Sequence, residues 1–286
     1  MINQNTQNLF FEKLDYTVDI EKLKQEVKKS VFTLGVPVIL GEGFETEKFN
    51  GFKGFGGWSL LSKDAKWTSG WETLEPPAAQ SKGVKIDLEK IQNSELLHSS
   101  AELELFYKAQ KYFNISHGSE HNKPTEACVG EIEKVLNDIR EMGFYPARAR
   151  ITCLKAHSKT LVHRDAEEHE YMARIHIPLW TNKKCVHICQ GKNLHMPADG
   201  GVWILWTNTW HQIRNDSDED RYHIIMDAYD TKKITKTFNY NGEFEQLQNH
   251  VLNERKKIDS VELTKEDIDL FESIKKDMMP KEYEII

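Results

Sequence analysis

Cysteine is scarce in this chain, with only Cys128, Cys153, Cys185 and Cys189 among 286 residues. Four are too few for a disulfide framework at this length, so reduced thiols are expected. Cys185 and Cys189 stand four apart, but no second close Cys or His pair completes a zinc-type set, and all four read as core or strand residues. Long apolar runs are also missing. No stretch approaches the roughly 18 residues of a membrane span, and Met1 to Lys13 lacks a basic segment followed by an apolar one. No membrane association and a cytoplasmic location are therefore expected. Basic excess is absent too: 38 Lys and Arg against 45 Asp and Glu give a net charge of −7. Such a balance argues against nucleic acid as a partner, while leaving room for a local basic pocket that takes a small anion. There is no internal repeat and no low-complexity tract, so ordinary elements must build the fold. Nothing in the sequence speaks to oligomeric state.

What is present suits a soluble globular protein. Apolar residues make up 39% and charged residues 29%, with seven Trp and thirteen Phe for a core or a pocket. The length allows one large domain, or a core with a smaller companion. Residues 18–31 space Ile20, Leu23, Val27 and Val31 at helical intervals, and residues 130–142 do the same with Ile132, Val135, Leu136, Ile139 and Met142. Each predicts an amphipathic helix able to lie against a sheet. Between them, residues 51–83 are rich in Gly, Trp and Ser and carry Pro76-Pro77, which predicts loops with a short strand near Trp58 to Leu61.

From about residue 145 the pattern changes to period two and short apolar runs: 147–155, 173–180, 185–190, 201–206 and 221–229. These predict closely spaced strands of a sandwich or barrel, with turns at Asp199-Gly200-Gly201 and Asn215-Asp216-Ser217-Asp218. The acidic run 216–220 reads as a solvated turn, and Trp203 and Trp206 read as packing residues. Beyond residue 231 the chain turns polar and helical. Thr264 is placed to cap a helix with Asp267 at its third position, running to Met279 before Pro280. Three parts follow: 1–143, helices and a loop-rich region packing on the core; 144–230, a β core; and 231–286, a helical extension.

The chemistry is concentrated in His163-Arg164-Asp165 and in His211, which follows Asp165 by 46 residues. In an extended segment residues i and i+2 share a face, so His163 and Asp165 can point into one space. A third ligand from a later strand completes two imidazoles and a carboxylate on one side of a metal, the arrangement that leaves positions open in non-haem Fe(II) oxygenases. His-x-Asp alone is a weak signal in a chain with twelve histidines. It gains weight because Arg221 follows His211 by ten residues and opens an apolar strand, and arginine suits bidentate capture of a carboxylate. His157, His187, His195 and His223 read as satisfied or exposed strand histidines. Arg148 and Arg150 are candidates for a substrate carboxylate.

The runs LVHRDAEEHEYMARIHIPLWTN, GGVWILWTNTWHQIRN and DRYHIIMDAYD resemble the aspartyl/asparaginyl β-hydroxylase family of 2-oxoglutarate oxygenases, which includes free proline hydroxylases. The resemblance spans roughly residues 144–230. It implies a mainly β fold with flanking helices around a double-stranded β-helix, or jelly roll. It also implies Fe(II) held by His163, Asp165 and His211, 2-oxoglutarate contacted by Arg174, His176 and Arg221, and O2 as second cosubstrate. The implied activity is hydroxylation of an unactivated C–H bond in an amino acid, an amino-acid derivative or a peptidyl substrate, with release of succinate and CO2. Asp165 fills the position a halide would need, which disfavours halogenation. The other reading is a non-oxygenase jelly roll, a cupin-like isomerase or metal-binding protein, and it gives Arg221 no task.

Overall fold

The computed structural model describes residues 11–35, 37–40, 54–69, 104, 107–109, 111–112, 118–160, 172–189, 192–205, 207, 211–232, 253 and 256–278. The amino-terminal part supplies strand β1 (Phe11–Thr17), helix α1 (Ile20–Glu26), one wide π-type turn (Val27–Val31), and the short strands β2 (Val38–Leu40), β3 (Phe55–Ser59), β4 (Leu61–Ser62) and β5 (Lys123–Pro124). Helix α2 (Gly130–Glu141) follows, then β6 (Phe144–Leu154), β7 (Ser158–Lys159), β8 (Met172–Trp180), β9 (Cys185–Cys189), β10 (Lys192–Leu194), β11 (Gly201–Leu205), β12 (His211–Asn215) and β13 (Arg221–Asp230). Helix α3 (Lys265–Met278) lies near the carboxyl end, capped as its sequence predicts: Thr264 Oγ accepts from Asp267 N, and Asp267 accepts in return from Thr264 N.

Two antiparallel sheets form the core. The larger runs β1-β11-β8-β13-β6-β3-β2 and the smaller β10-β9-β12-β7. From β6 to β13 the chain alternates between them, β6, β8, β11 and β13 in the large sheet, and β7, β9, β10 and β12 in the small one. In that stretch, among the described residues, only β9 and β10 are consecutive strands paired within one sheet. That wrapping is a jelly roll, so the fold is mainly β with flanking helices. The predicted strand near Trp58 is β3 followed by β4. The first segment, β1, pairs with β11 and was not anticipated from its mixed charge pattern FEKLDYT. Gly57 lets β3 seat against β6: its φ is +149°, and a Cβ there would lie 1.8 Å from the Ile151 carbonyl oxygen.

The outer face of the large sheet is the hydrophobic core. Helix α1 begins at Asp19, whose carboxylate accepts from Lys22 N at 3.2 Å. It buries Leu23, and the π-type turn continues the stripe with Val27 and Val31. Helix α2 buries Ile132, Val135, Leu136 and Ile139 at the spacing of one helical face. These pack with Ala149 and Ile151 of β6, Ile175, Ile177 and Leu179 of β8, Val202 and Ile204 of β11, and Ile224 and Met226 of β13. A strand alternates its faces, so the residues between these turn the other way, toward the small sheet. That alternation places polar side chains inside.

One end of the sandwich is tied by Asn215 at the close of β12. Its amide donates to the carbonyls of Leu154 (3.0 Å), Lys155 (3.1 Å) and Glu219 (2.8 Å), and its oxygen accepts from Ser217 N and Oγ. The side chain is fully buried. Asn215→Ala orphans these groups out of reach of water, and each orphan costs on the order of 1–3 kcal/mol before relaxation. Urea unfolding of this variant should show a loss of about 3 kcal/mol or more; a loss under about 0.5 kcal/mol, the usual effect of a surface change, contradicts the assignment.

Candidate active site between the two sheets

The inner faces bring imidazoles into a line. His211 opens β12 and is 2% exposed, and its ring stacks on His187 of β9 with centroids 5.2 Å apart and planes at 12°. His187 in turn meets His176 of β8 edge-on at 6.1 Å, and His176 meets His223 of β13 at 5.9 Å. The line thus crosses from the small sheet to the large one. It ends at Arg221, whose Nη2 lies 2.8 Å from His223 Nδ1.

Arg221 is the most unusual group in the interior. It is 2% exposed, and burial lowers its pKa to about 10. No carboxylate among the described residues pairs with it. Its Nη1 makes no hydrogen bond among the described residues. A guanidinium taken out of water costs several kcal/mol unless an anion meets it. An anion meeting it would offset that cost, and a carboxylate fits the planar fork.

A second charged group sits further along the same inner face. Asp227 of β13, 2% exposed, is held between Arg174 of β8 and Arg148 of β6. Arg174 Nε and Nη2 each lie 3.2 Å from Oδ1, and Arg148 Nε lies 2.9 Å from Oδ2. Arg148 reaches this position from a left-handed backbone, φ +44°, where β13 shifts register between Ile225 and Asp227. His121 arrives from the segment before α2, its carbonyl accepting from Arg148 N at 2.7 Å. Both its ring nitrogens are buried without a partner among the described residues. Burial first, then the Arg148 and Arg150 charges, lower its pKa to about 3.

Several sequence expectations meet here. His176, His211 and Arg221 all face the interior, as does Arg174, which is engaged with Asp227. Arg148, a candidate for a substrate carboxylate, is likewise committed to Asp227. His163 and Asp165 lie outside the described residues, as does Trp206, and among the described residues no three His, Cys, Asp or Glu side chains group as a metal set. His157 is a surface residue against Asp218, and His195 Nδ1 lies 3.2 Å from the Cys185 carbonyl oxygen. His187 and His223 carry more than sequence alone assigns them: both lie in the imidazole line. The signal available was their alternation with Cys185 and Arg221, but the pairing of β9 with β12 was needed to show which face turns inward. In the acidic run, Asp216 and Asp218 are exposed, whereas Asp220 accepts from Ala156 N at 2.9 Å and pairs with Lys155 at 3.0 Å. All four cysteines are buried thiols, and burial raises Cys128 and Cys153 to about 11, which keeps them protonated and unreactive.

A jelly roll with histidines and a buried arginine between its sheets defines the class of the oxygenase-type hydroxylases. The aspartyl/asparaginyl beta-hydroxylase family model matches residues 82–231, more than half of the chain, and the chain belongs to that family. Among solved structures it is similar to an oxidoreductase of the 2OG-Fe(II) oxygenase family from Burkholderia pseudomallei, at 19% identity and a TM-score of 0.32. That match covers 40% of this chain and 65% of the Burkholderia protein. No curated protein matches the chain at a significant level. No helix among the described residues is long and apolar enough to cross a membrane.

The depressed histidines give a pH signature. His121 titrates near 3 in the folded protein and near 6.5 once unfolded, so the unfolded chain binds the extra proton in between. Its contribution is intact above the unfolded value and is lost as pH falls from 6.5 toward 3, by about 1.4 kcal/mol per pH unit. His223 is shifted in the same direction, by burial and then by Arg221. Because neither His121 ring nitrogen has a hydrogen-bond partner among the described residues, His121→Phe removes the titration without orphaning one of them. Urea unfolding at pH 7.5 and pH 5 should differ by about 2 kcal/mol less in this variant than in the native protein; an unchanged difference overturns the attribution.

Proposed function

We propose that this protein is an Fe(II)- and 2-oxoglutarate-dependent oxygenase that hydroxylates an unactivated C–H bond of an amino acid, an amino-acid derivative or a peptidyl substrate, with succinate and CO2 as coproducts. The observation that carries the proposal is Arg221, a buried cation with no carboxylate beside it among the described residues, on the inner wall of a jelly roll that also presents His211. In this reading His163, Asp165 and His211 would hold Fe(II), and the catalytic core is residues 144–230. The bound iron, with 2-oxoglutarate and O2, supplies the oxidising power that no side chain possesses.

The chain's own residues orient the cosubstrate. Arg221 and Asp227 share the inner face of β13 six residues apart, a rise of about 20 Å. His176 lies between them in register with Ile225, while Arg174 is in register with Asp227. One carboxylate cannot be shared by Arg221 and Arg174 over that span. The distal carboxylate therefore belongs at Arg221, and the 2-oxo acid end points toward His176, His211 and Arg174. The Asp227 bridge holds Arg174 in place at that end, and burial of the whole line excludes water. Arg150, on the same inner face of β6, remains the candidate for a substrate carboxylate.

The test is succinate formation from 2-oxoglutarate, requiring Fe(II) and O2, in the presence of a panel of amino acids and small peptides. His163→Ala and His211→Ala should each abolish it. Arg221→Ala should lower turnover at subsaturating 2-oxoglutarate by about 100-fold, the cost of truncating one partner of a buried charge pair. Turnover that survives both histidine changes would show that the metal site lies elsewhere. A native protein that makes no succinate under any of these conditions favours a non-oxygenase jelly roll.

A further inference from the structure

Arg221 does not stand alone on its wall. His223 lies two residues on, on the same inner face of β13, and is 1% exposed. The Arg221 guanidinium can only donate, so the 2.8 Å contact from Nη2 makes His223 Nδ1 the acceptor. A nitrogen that accepts carries no proton. The neutral ring then has its proton on Nε2, which makes Nε2 a donor. Nε2 is buried and makes no hydrogen bond among the described residues, and the same is true of Arg221 Nη1. The backbone holds the pair still: His223 O accepts from Thr152 Oγ1 at 3.1 Å, and β13 is flanked by β8 and β6 on both sides. Burial, and then the adjacent guanidinium, keep the imidazole neutral.

Two donors with no partner among the described residues, joined through one hydrogen bond and buried side by side, make a two-point site for one anionic group. We propose that His223 is a further cosubstrate-binding residue: its Nε2–H donates to the same distal carboxylate of 2-oxoglutarate that Arg221 binds, while its Nδ1 fixes the guanidinium. The inference rests on the function proposed above. It assigns His223 a contact of its own, beyond propping Arg221. The consequence is selectivity, because a 2-oxo acid lacking the distal carboxylate leaves both donors unused.

The experiment measures binding without turnover, by anaerobic calorimetry of the full chain loaded with Mn(II), using 2-oxoglutarate and 2-oxobutyrate. The second ligand has the same 2-oxo acid end and no distal carboxylate. His223→Asn keeps an acceptor near the Nδ1 position and removes the Nε2 donor. His223→Gln returns an amide donor near the Nε2 position. His223→Leu removes both. A hydrogen bond to a charged group is worth about 1.5–3 kcal/mol, so Asn and Leu should weaken 2-oxoglutarate binding by about tenfold to 100-fold. Binding of 2-oxobutyrate should be unchanged, and Gln should recover most of the loss.

If His223→Asn binds 2-oxoglutarate as the native protein does, His223 serves only to position Arg221 and the inference is wrong. It is equally wrong if all variants lose both ligands in parallel, which marks a structural role. A native protein that binds neither ligand overturns the oxygenase reading itself. Native binding of 2-oxoglutarate with no selectivity among the variants overturns the role of His223 alone.

Discussion

Everything in the interior is arranged around a positive charge that has been removed from water. Arg221 stands at the start of β13, the strand flanked by β8 and β6 in the large sheet, and no carboxylate among the described residues balances it. Such a group is tolerated only where its surroundings are rigid and other polar groups are satisfied. The Asn215 bonds fix the chain beside it, and His223 Nδ1 accepts a hydrogen bond from it. The stability given up at this position is recovered on the far face of the sheet, where two helices bury an aliphatic layer.

The interior is polarised along β13. At one end a guanidinium has no carboxylate beside it among the described residues. At the other, Asp227 is shared between Arg148 and Arg174, a compensated group that needs no ligand to be stable. Imidazoles occupy the length between them, and burial followed by the Arg221 charge keeps that of His223 neutral. An anion entering this space is drawn to the uncompensated end. Direction is thus encoded by which arginine has a carboxylate, not by how many arginines there are.

Much of this was legible in the sequence, and the boundary of legibility has a physical cause. Period-two runs fixed the strands of the core, and local chemistry fixed the caps, as the Thr264–Asp267 reciprocity shows. His211 and Arg221 were readable because their spacing and flanking apolar residues set them on consecutive strands, which the fold places in opposite sheets. His187 and His223 were not, since alternation says that two residues share a face without saying which face meets the other sheet. His121 and Arg148 depend on contacts between distant segments, and on a left-handed residue that no local pattern announces. Strand β1 escaped because none of its side chains is fully buried, so its charges mask its alternation.

That same β1 bears on how the protein can be taken apart. The jelly-roll strands β11 and β6 would be the open edges of their sheet, each offering a row of unpaired backbone groups. Instead β1 covers the first, and β3 with β2 covers the second, so that segments from the first sixty residues finish a sheet whose other strands begin at residue 144. The strands from residue 144 onward and the amino-terminal segments are in this sense one hydrogen-bonded object. A fragment trimmed to its apparent core would present two adhesive borders to its neighbours, and its characteristic fate would be self-association.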